Sequence, residues 1–329
     1  MMHPDWRYMR RALQLARKGE GFTSPNPMVG AVIVDSAGQI IGEGYHRRWG
    51  EGHAEVNAVA SVKDESALVD STIYVTLEPC SHYGKTPPCA QLIIDKRIPR
   101  VVVGCLDPFE KVSGRGVKML RDAGVEVVVA DADGEIAREC RALNRKFITA
   151  HTLRRPFVTL KWAQSADGYM DAERAPGEGA YRFSTPLSTV EVHRLRSLHD
   201  AILVGSGTMI ADSPRLNVRL WHGRDPQRVV LDRSGRIQAD DNTIVLDSPD
   251  IASALAELYR RGITSVLVEG GAAVLKSFID EGLWDEARVE IAPVILGSRG
   301  RAKAPILPLK PSSATHLRPN QILHYSHGH

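Results

Sequence analysis

The sequence predicts two consecutive α/β domains, and three observations support this prediction. Short apolar runs of strand length alternate with amphipathic segments of helix length along both halves of the chain. The 329 residues correspond to about two domains of roughly 150 residues each. A charged, proline-marked segment, 154–156, separates the halves ahead of an apolar run at 157–162. We therefore expect one domain over residues 1–150 and a second over residues 151–329.

In the first half, the pattern predicts an α/β layer sandwich. Its first helix covers residues 5–18, because Asp5 can cap the first turn and Gly19 can end the helix. The apolar runs then predict strands at 28–34, 39–45, 72–76, 100–104 and 125–129. Further helices are expected at 53–62, 90–97, 116–123 and 133–148.

The second half repeats the alternation and adds two glycine-bearing loops. Strands are expected at 157–162, 201–204, 228–231, 243–246 and 265–268, and helices at 185–197, 251–260 and 273–281. The glycine loops, 205–208 and 269–273, each follow a strand, so their backbone N–H groups could approach a pyrophosphate. Neither is a G-x-G-x-x-G fingerprint, since Ile210 occupies the place of the third glycine. Each loop alone therefore also fits an ordinary tight turn.

Composition and charge argue against several classes of protein. Lys and Arg number 42 and Asp and Glu 39, which gives a net charge of +3, and aromatic residues make up 6%. Neither value suggests a basic, base-stacking surface for nucleic acid. No apolar run approaches the ~20 residues of a membrane span, and residues 1–7 lack the apolar core of a secretory signal. Four cysteines in so long a chain do not form a disulfide framework. We therefore expect a cytoplasmic protein without a nucleic-acid or membrane partner.

The most specific motif combines His53-Ala54-Glu55 with Pro79-Cys80 and Cys89. One imidazole and two thiolates are the three protein ligands of an open tetrahedral zinc site, whose fourth position holds water. The metal lowers the pKa of that water to about 7, so that hydroxide is available at neutral pH. Glu55, near a helix start, can carry a proton without binding the metal. The motif predicts His53, Cys80 and Cys89 as zinc ligands and Glu55 as the catalytic residue.

Other interpretations of these residues stay open on the motif alone. Each residue taken singly also fits a polar helix start or a small buried thiol. Zinc deaminases of nucleobases carry H-x-E followed by P-C-x-x-C, whereas Cys80 and Cys89 stand much farther apart. The spacing therefore argues against an ordinary cytidine-deaminase loop.

The sequence between the two cysteines resembles one family. Segment 76–89, Thr-Leu-Glu-Pro-Cys-Ser-His-Tyr-Gly-Lys-Thr-Pro-Pro-Cys, is similar to the bifunctional deaminase/reductases of riboflavin biosynthesis, and segments 25–30 and 42–46 match that family as well. The resemblance implies a cytidine-deaminase-like α/β/α sandwich in the first domain. It also implies zinc-dependent deamination of 2,5-diamino-6-(5-phosphoribosylamino)pyrimidin-4-one. The substrate-binding positions carried over by the resemblance are Asn26, His46, His82 and Lys85.

Most of the second half looks like the reductase half of the same family. Segments 161–168, 204–208, 211–219 and 268–271 carry this resemblance. It implies a dihydrofolate-reductase-like domain that uses NADPH to reduce the ribosyl group to a ribityl chain. The implied substrate-binding residues are Arg196, Leu216, Arg219 and Glu269. The implied cofactor-binding residues are Ala163, Thr208, Asp212, Gly271, Ala272, Ala273, Val274, Leu275, Lys276 and Ser277.

The chain departs from the family pattern in two loops. Arg182 stands in the place of a tryptophan that the family commonly carries, and segment 107–116 matches a family loop only in part. The resemblance also implies a homo-oligomer, a dimer or a tetramer. Two rival functions remain: a deaminase of free cytosine-type bases or RNA with an inactive second half, and a nucleic-acid-binding module with structural zinc. Turnover of cytidine or RNA without NADPH oxidation would indicate the first, and salt-sensitive RNA binding without activity the second.

Overall fold

Each half of the chain forms its own β-sheet and its own hydrophobic core. The computed structural model describes residues 4–83, 87–108, 113–175 and 178–327, and the chain divides into two units, Met1–Leu153 and Arg154–His329. Those ranges contain no helix that is both long enough and apolar enough to cross a membrane.

The first unit is built on a five-stranded mixed sheet in the order β2-β1-β3-β4-β5. The strands are β1 Gly30–Val34, β2 Ile40–Tyr45, β3 Thr72–Val75, β4 Arg100–Val103 and β5 Glu126–Val129. β1 runs antiparallel to both of its neighbours, whereas β3, β4 and β5 are parallel. The helices are α1 Trp6–Ala16, α2 Ala54–Ala60, α3 Cys89–Asp95, α4 Arg115–Asp122, α5 Glu135–Leu143 and α6 Arg145–Leu153.

Helices cover both faces of this sheet, and the strand sequences explain why. Successive side chains of a strand point to opposite faces. Ala31 and Ile33 pack into the core beneath α2, α3 and α4, while Val32 and Val34 pack into a second core beneath α1 and α5. The central strands are therefore continuous apolar runs, as expected for strands buried on both faces.

The second unit contains an eight-stranded sheet in the order β10-β9-β8-β11-β6-β12-β15-β14. Its strands are β6 Phe157–Ser165, β8 Ala201–Gly205, β9 Gln227–Leu231, β10 Thr243–Leu246, β11 Ser265–Val268, β12 Glu286–Ala292, β14 Ser313–Leu317 and β15 Asn320–Ser326. The pairs from β10 to β12 are parallel, and β15 and β14 extend the sheet antiparallel. β7 Tyr169–Ala172 and β13 Gly300–Lys303 form a separate pair.

In the described part of the second unit, the α-helices are α7 Pro186–Ser197, α8 Ser206–Asp212, α9 Ile251–Arg260 and α10 Ala272–Asp280. One face of the sheet carries a large apolar core, to which Leu160 and Trp162 contribute from β6. Since side chains alternate along a strand, Lys161 and Ala163 point to the opposite face. That face carries the polar groups described below.

The structure differs from the sequence-based expectations at several elements. The expected helix 133–148 is two helices, α5 and α6, because Asn144 ends the first and turns its side chain to the backbone of Met28. The expected glycine loop 205–208 is mostly helix: Gly205 is extended, and α8 begins at Ser206. The strands from β12 onward, together with β7, are not predicted, because their alternating polar residues gave no apolar run.

Candidate active sites

Three side chains of the first unit converge on a point that suits a metal ion. His53 caps the start of α2, Cys89 is the first residue of α3, and Cys80 lies in the loop after β3. Their ligand atoms all lie within 4.8 Å of one another. His53 Nδ1 is 3.6 Å from Cys80 Sγ and 3.4 Å from Cys89 Sγ. One nitrogen and two sulfur donors at this spacing fit an open zinc site.

Backbone contacts hold the two thiols in place. The Cys89 amide donates to Cys80 Sγ at 3.2 Å, and the Ala90 amide donates to the Cys80 carbonyl at 3.1 Å. The hydrogen bond between the two sulfurs lowers the pKa of Cys80 to about 4, while the same contact raises the pKa of Cys89. Because thiols bind metal in their deprotonated form, the lowered pKa of Cys80 favours a divalent cation at this position.

Glu55 is buried in the first turn of α2 beside these donors, with 3% of its surface exposed. Burial raises the pKa of its carboxyl group to about 7, and the negative charge of Cys80 contributes. A carboxyl group with a pKa near neutrality both accepts and donates a proton at that pH, as a proton shuttle must.

His46 and Asn26 form a hydrogen-bonded pair near the same site. Asn26 Nδ2 is 3.2 Å from His46 Nε2, and His46 Nδ1 is 3.2 Å from the Gly52 carbonyl. Burial lowers the pKa of His46, so the neutral ring donates from Nδ1 and accepts at Nε2. The His46 ring meets His53 edge-on, with centroids 5.5 Å apart. His46 therefore contacts His53, one of the three expected metal ligands.

The other two expected pocket residues are less informative. His82 is solvent-exposed, in the loop that follows Cys80. Lys85 lies outside the described residues.

Two buried residues that the sequence analysis did not select support this site. Glu78 accepts hydrogen bonds from the backbone amides of Asp107, Gly114, Gly116 and Val117. Its position in segment 76–89 was the available signal. Asn144 both donates to and accepts from the backbone of Met28, which fixes the loop that carries Asn26. No local pattern marks Asn144, because its partner is more than a hundred residues away in sequence.

In the second unit, Arg196 and Glu269 form a bidentate ion pair. Arg196 Nε and Nη2 donate to the two Glu269 oxygens, both at 2.8 Å. Burial alone would raise the pKa of Glu269, but the charges of Lys161 and Arg196 lower it to about 2. Arg196 therefore neutralises Glu269, and both are residues expected to bind the substrate.

The loop that carries the other expected substrate residues reaches this pair. Arg196 Nη1 donates to the Asn217 carbonyl at 3.1 Å, and the neighbouring Leu216 is buried with a left-handed φ of 55°. The Arg219 amide donates to His193 Nδ1 at 3.1 Å, while its guanidinium bonds Asn217. The exposed Arg219 side chain is thus connected through Asn217 to the partly buried ion pair, where it could bind a phosphate.

Glycines bring the starts of α8 and α10 together. A Cβ atom on Gly271 would lie 3.2 Å from Thr208 Oγ1, and one on Gly270 would lie 2.4 Å from Val204 Cα. Thr208 is on α8, and residues 271–277 comprise Gly271, the residue that caps α10, and the first six residues of that helix. Because the backbone amides at the start of a helix favour anions, the start of α10 could bind an anionic group of the cofactor.

Asp212 is already engaged, since Arg174 Nη1 contacts its carboxylate at 2.5 Å. Ala163 lies on β6 beside Glu290 of β12, and Arg182 is exposed. Lys161, a partly buried lysine on β6, lies in segment 161–168 and is a further candidate that the sequence motif alone does not identify. Burial lowers the pKa of Lys161, and the charges of Glu269, Arg288, Arg196 and Glu290 also act on it.

Comparisons with known proteins agree with the geometry. The family model "RibD C-terminal domain" matches residues 156–329, and "Cytidine and deoxycytidylate deaminase zinc-binding region" matches residues 2–105. The riboflavin biosynthesis protein RibD of Actinobacillus pleuropneumoniae is 38% identical, over 92% of this chain and 87% of that protein. The Escherichia coli protein of that name is 35% identical, over 90% of each. This chain belongs to the RibD family.

Solved structures of RibD proteins confirm the fold class. Acinetobacter baumannii RibD superposes with a TM-score of 0.87 at 34% identity, and a Thermotoga maritima protein with 0.84 at 36%; each comparison covers 97% of both chains. This RibD family member is therefore a bifunctional deaminase and reductase of riboflavin biosynthesis, as the sequence predicted. Its zinc-binding region and its reductase domain imply zinc and a nicotinamide cofactor.

Proposed function

We propose that this RibD family member first deaminates 2,5-diamino-6-(5-phosphoribosylamino)pyrimidin-4-one and then reduces the product's ribosyl group with NADPH. The Thermotoga maritima relative is described as a diaminohydroxyphosphoribosylaminopyrimidine deaminase and 5-amino-6-(5-phosphoribosylamino)uracil reductase. Within the chain, we assign deamination to residues 1–150 and reduction to residues 151–329. The observation that carries the deaminase proposal is the convergence of His53, Cys80 and Cys89 beside the buried Glu55.

In the deaminase site, His53, Cys80 and Cys89 would hold zinc, which when bound supplies Lewis-acid activation of water. Glu55 takes a proton from the attacking water and returns it to the leaving amine, so that ammonia departs and a carbonyl replaces the ring amino group. Asn26 and His46, held by their mutual hydrogen bond, orient the pyrimidine ring. His82 and Lys85 complete the proposed substrate contacts.

In the reductase site, NADPH, when bound, would supply the hydride that is added to C1′ of the ribosyl group. Hydride transfer would break the bond from C1′ to the ring oxygen, and that oxygen would then need a proton, which we assign to Lys161 because its charge interacts with those of Glu269 and Arg196. Arg196, Leu216, Arg219 and Glu269 would hold the substrate. Ala163, Thr208, Asp212 and residues 271–277 would hold the cofactor.

The proposal extends to the surroundings of the enzyme. We propose a cytoplasmic homo-oligomer, a dimer or a tetramer, that acts on this small molecule without a nucleic-acid or membrane partner. The near-balanced charge supports the absence of a nucleic-acid partner. Within the described residues, the two sites hold ion pairs and buried acids, which do not support the rival nucleic-acid-binding function.

A two-step assay on the phosphoribosylamino-pyrimidine tests the whole proposal. Ammonia release and the loss of NADPH absorbance are followed separately, and NADH is supplied in a parallel reaction. We expect ammonia release without any nicotinamide cofactor, followed by oxidation of NADPH in preference to NADH. Turnover of cytidine in place of this substrate, or the absence of NADPH oxidation after deamination, would contradict the proposal.

A further inference from the structure

Lys161 and Arg288 lie directly opposite each other on the neighbouring parallel strands β6 and β12. Leu160, Ala287 and Val289 point into the apolar core on one face of the sheet, so the two cations share the other face. Like charges directly opposite on adjacent strands destabilise a sheet, and burial strengthens their repulsion. Arg288 is 8% exposed. The pair is therefore an unfavourable arrangement that packing alone does not explain.

The acids of this face only partly offset the two cations. Glu269 is bound by Arg196 in a bidentate pair. Glu290, which is fully buried, accepts hydrogen bonds from Ser184 Oγ at 2.9 Å, from Asn320 Nδ2 at 2.6 Å and from Ser188 Oγ. Its charge is thus spread over three neutral donors, and its contact with Arg288 Nη1 is longer, at 3.5 Å.

Arg288 itself is incompletely satisfied. Its Nη2 donates to Ser188 Oγ at 3.1 Å, whereas its buried Nη1 makes no hydrogen bond within the described ranges of the chain. The other titratable groups near this cluster are His193 and Glu191 on α7 and His324 on β15. His324 is paired with Arg288 across the strands. Because Arg288 lies opposite Lys161 and Glu290 only partly neutralises it, the positive charge of Arg288 acts on Lys161.

We propose that Arg288 is a positioning residue of the reductase site, which acts through Lys161 by favouring release of the Lys161 proton, while Glu290 acts in the opposite direction. This inference rests on the proposed reductase function and adds residues to it. Burial lowers the pKa of Lys161; Arg288 and Arg196 lower it further, and Glu269 and Glu290 raise it. A lysine with a lowered pKa transfers its proton more readily near neutral pH.

Competitive acetylation of the full chain measures the Lys161 proton directly. Acetic anhydride is applied from about pH 6 to 11, and the Lys161 peptide is quantified by mass spectrometry. We expect Arg288→Gln to raise the labelling midpoint of Lys161 by about one pH unit, and Glu290→Gln to lower it by a similar amount. Arg288→Lys keeps the charge and should leave the midpoint near that of the wild type. Arg224→Gln, which removes an exposed arginine paired with Asp200, is the matched control.

The pH profile of reductase kcat/KM provides the second measurement. Its basic limb should move in the same two opposite directions, while ammonia release by the same chains stays unchanged. The proposal would be overturned if both variants shifted the labelling midpoint and the basic limb in the same direction, or if neither variant shifted them. A structural role alone would not shift them in opposite directions. If the wild type oxidised no NADPH, the reductase function would fail, and the labelling midpoints would still decide the coupling.

Discussion

At the scale of single residues, Glu55 has the most sharply defined chemistry. Its carboxyl group is buried beside the metal donors, and its pKa of about 7 suits proton exchange. We expect Glu55→Gln to reduce ammonia release by about 10²–10⁴-fold, because the amide cannot shuttle a proton. Zinc content and NADPH oxidation with pre-formed deaminated substrate should stay at wild-type levels.

The matched control for this substitution is Glu51→Gln. Glu51 is exposed and also precedes α2, two residues before His53, so it tests a change of charge at the same end of the helix. Its deaminase rate should stay close to that of the wild type. Deamination that survived in Glu55→Gln would remove Glu55 from the mechanism.

Glu78 contributes to stability, because it accepts hydrogen bonds from the backbone of Asp107 and of the start of α4. Its two oxygens accept four backbone amides, two of them at 2.9 Å. Glu78→Gln replaces one acceptor with a donor, which leaves buried amides unsatisfied at a cost of about 2 kcal/mol in the free energy of unfolding. Thermal denaturation should show a lower Tm for the first unit.

Glu65→Gln is the comparison for Glu78→Gln, since the exposed Glu65 forms a surface ion pair with Lys96. Surface pairs of this kind contribute about 0–1 kcal/mol, so its Tm should change little. Equal decreases in Tm for the two variants would contradict a stabilising role for the buried hydrogen bonds of Glu78.

At the scale of elements, α1 and β1 are in direct backbone contact through Gly30. A Cβ atom at this position would lie 1.9 Å from the Ala12 carbonyl oxygen. Gly30→Ala should therefore push α1 away from the sheet and destabilise the first unit by about 1–3 kcal/mol, measured by chemical denaturation. Gly179→Ala, where no atom lies within 4 Å of the new methyl group, should leave stability near the wild-type value. A Gly30→Ala chain of unchanged stability would contradict this contact.

The elements also show how far the sequence determines the structure. Apolar runs such as Ala31–Val34 predicted the strands buried on both faces, and the spacing of His53, Cys80 and Cys89 predicted the donor set that the fold assembles. β12 was not predicted, because Arg288 and Glu290 give it a polar appearance although the fold buries both. Their burial depends on partners in α7 and β15, which no local pattern can reveal.

At the scale of the whole molecule, one chain carries two units that each have a separate core. The zinc donors come from α2, α3 and the loop after β3, all within the first unit. The Arg196–Glu269 pair and its neighbours come from the second unit alone. Each reaction therefore draws its proposed residues from one unit, so the two activities should respond separately to changes in their surroundings.

Removal of the metal tests this separation. A bound ion stabilises only the folded form of the unit that holds it, by RT ln(1 + [L]/Kd), so chelation should lower the Tm of the first unit alone. We expect calorimetry after dialysis against a strong chelator to show one transition moved down and the other unchanged. Ammonia release should be lost and regained when zinc is restored, while NADPH oxidation with pre-formed substrate continues.

Cys80→Ser should reproduce the chelated state without chelator, whereas Cys105→Ser, at a buried thiol outside the donor set, should retain zinc. If chelation abolished both activities, the reductase would depend on the metal, and the prediction that the two activities are independent would be wrong.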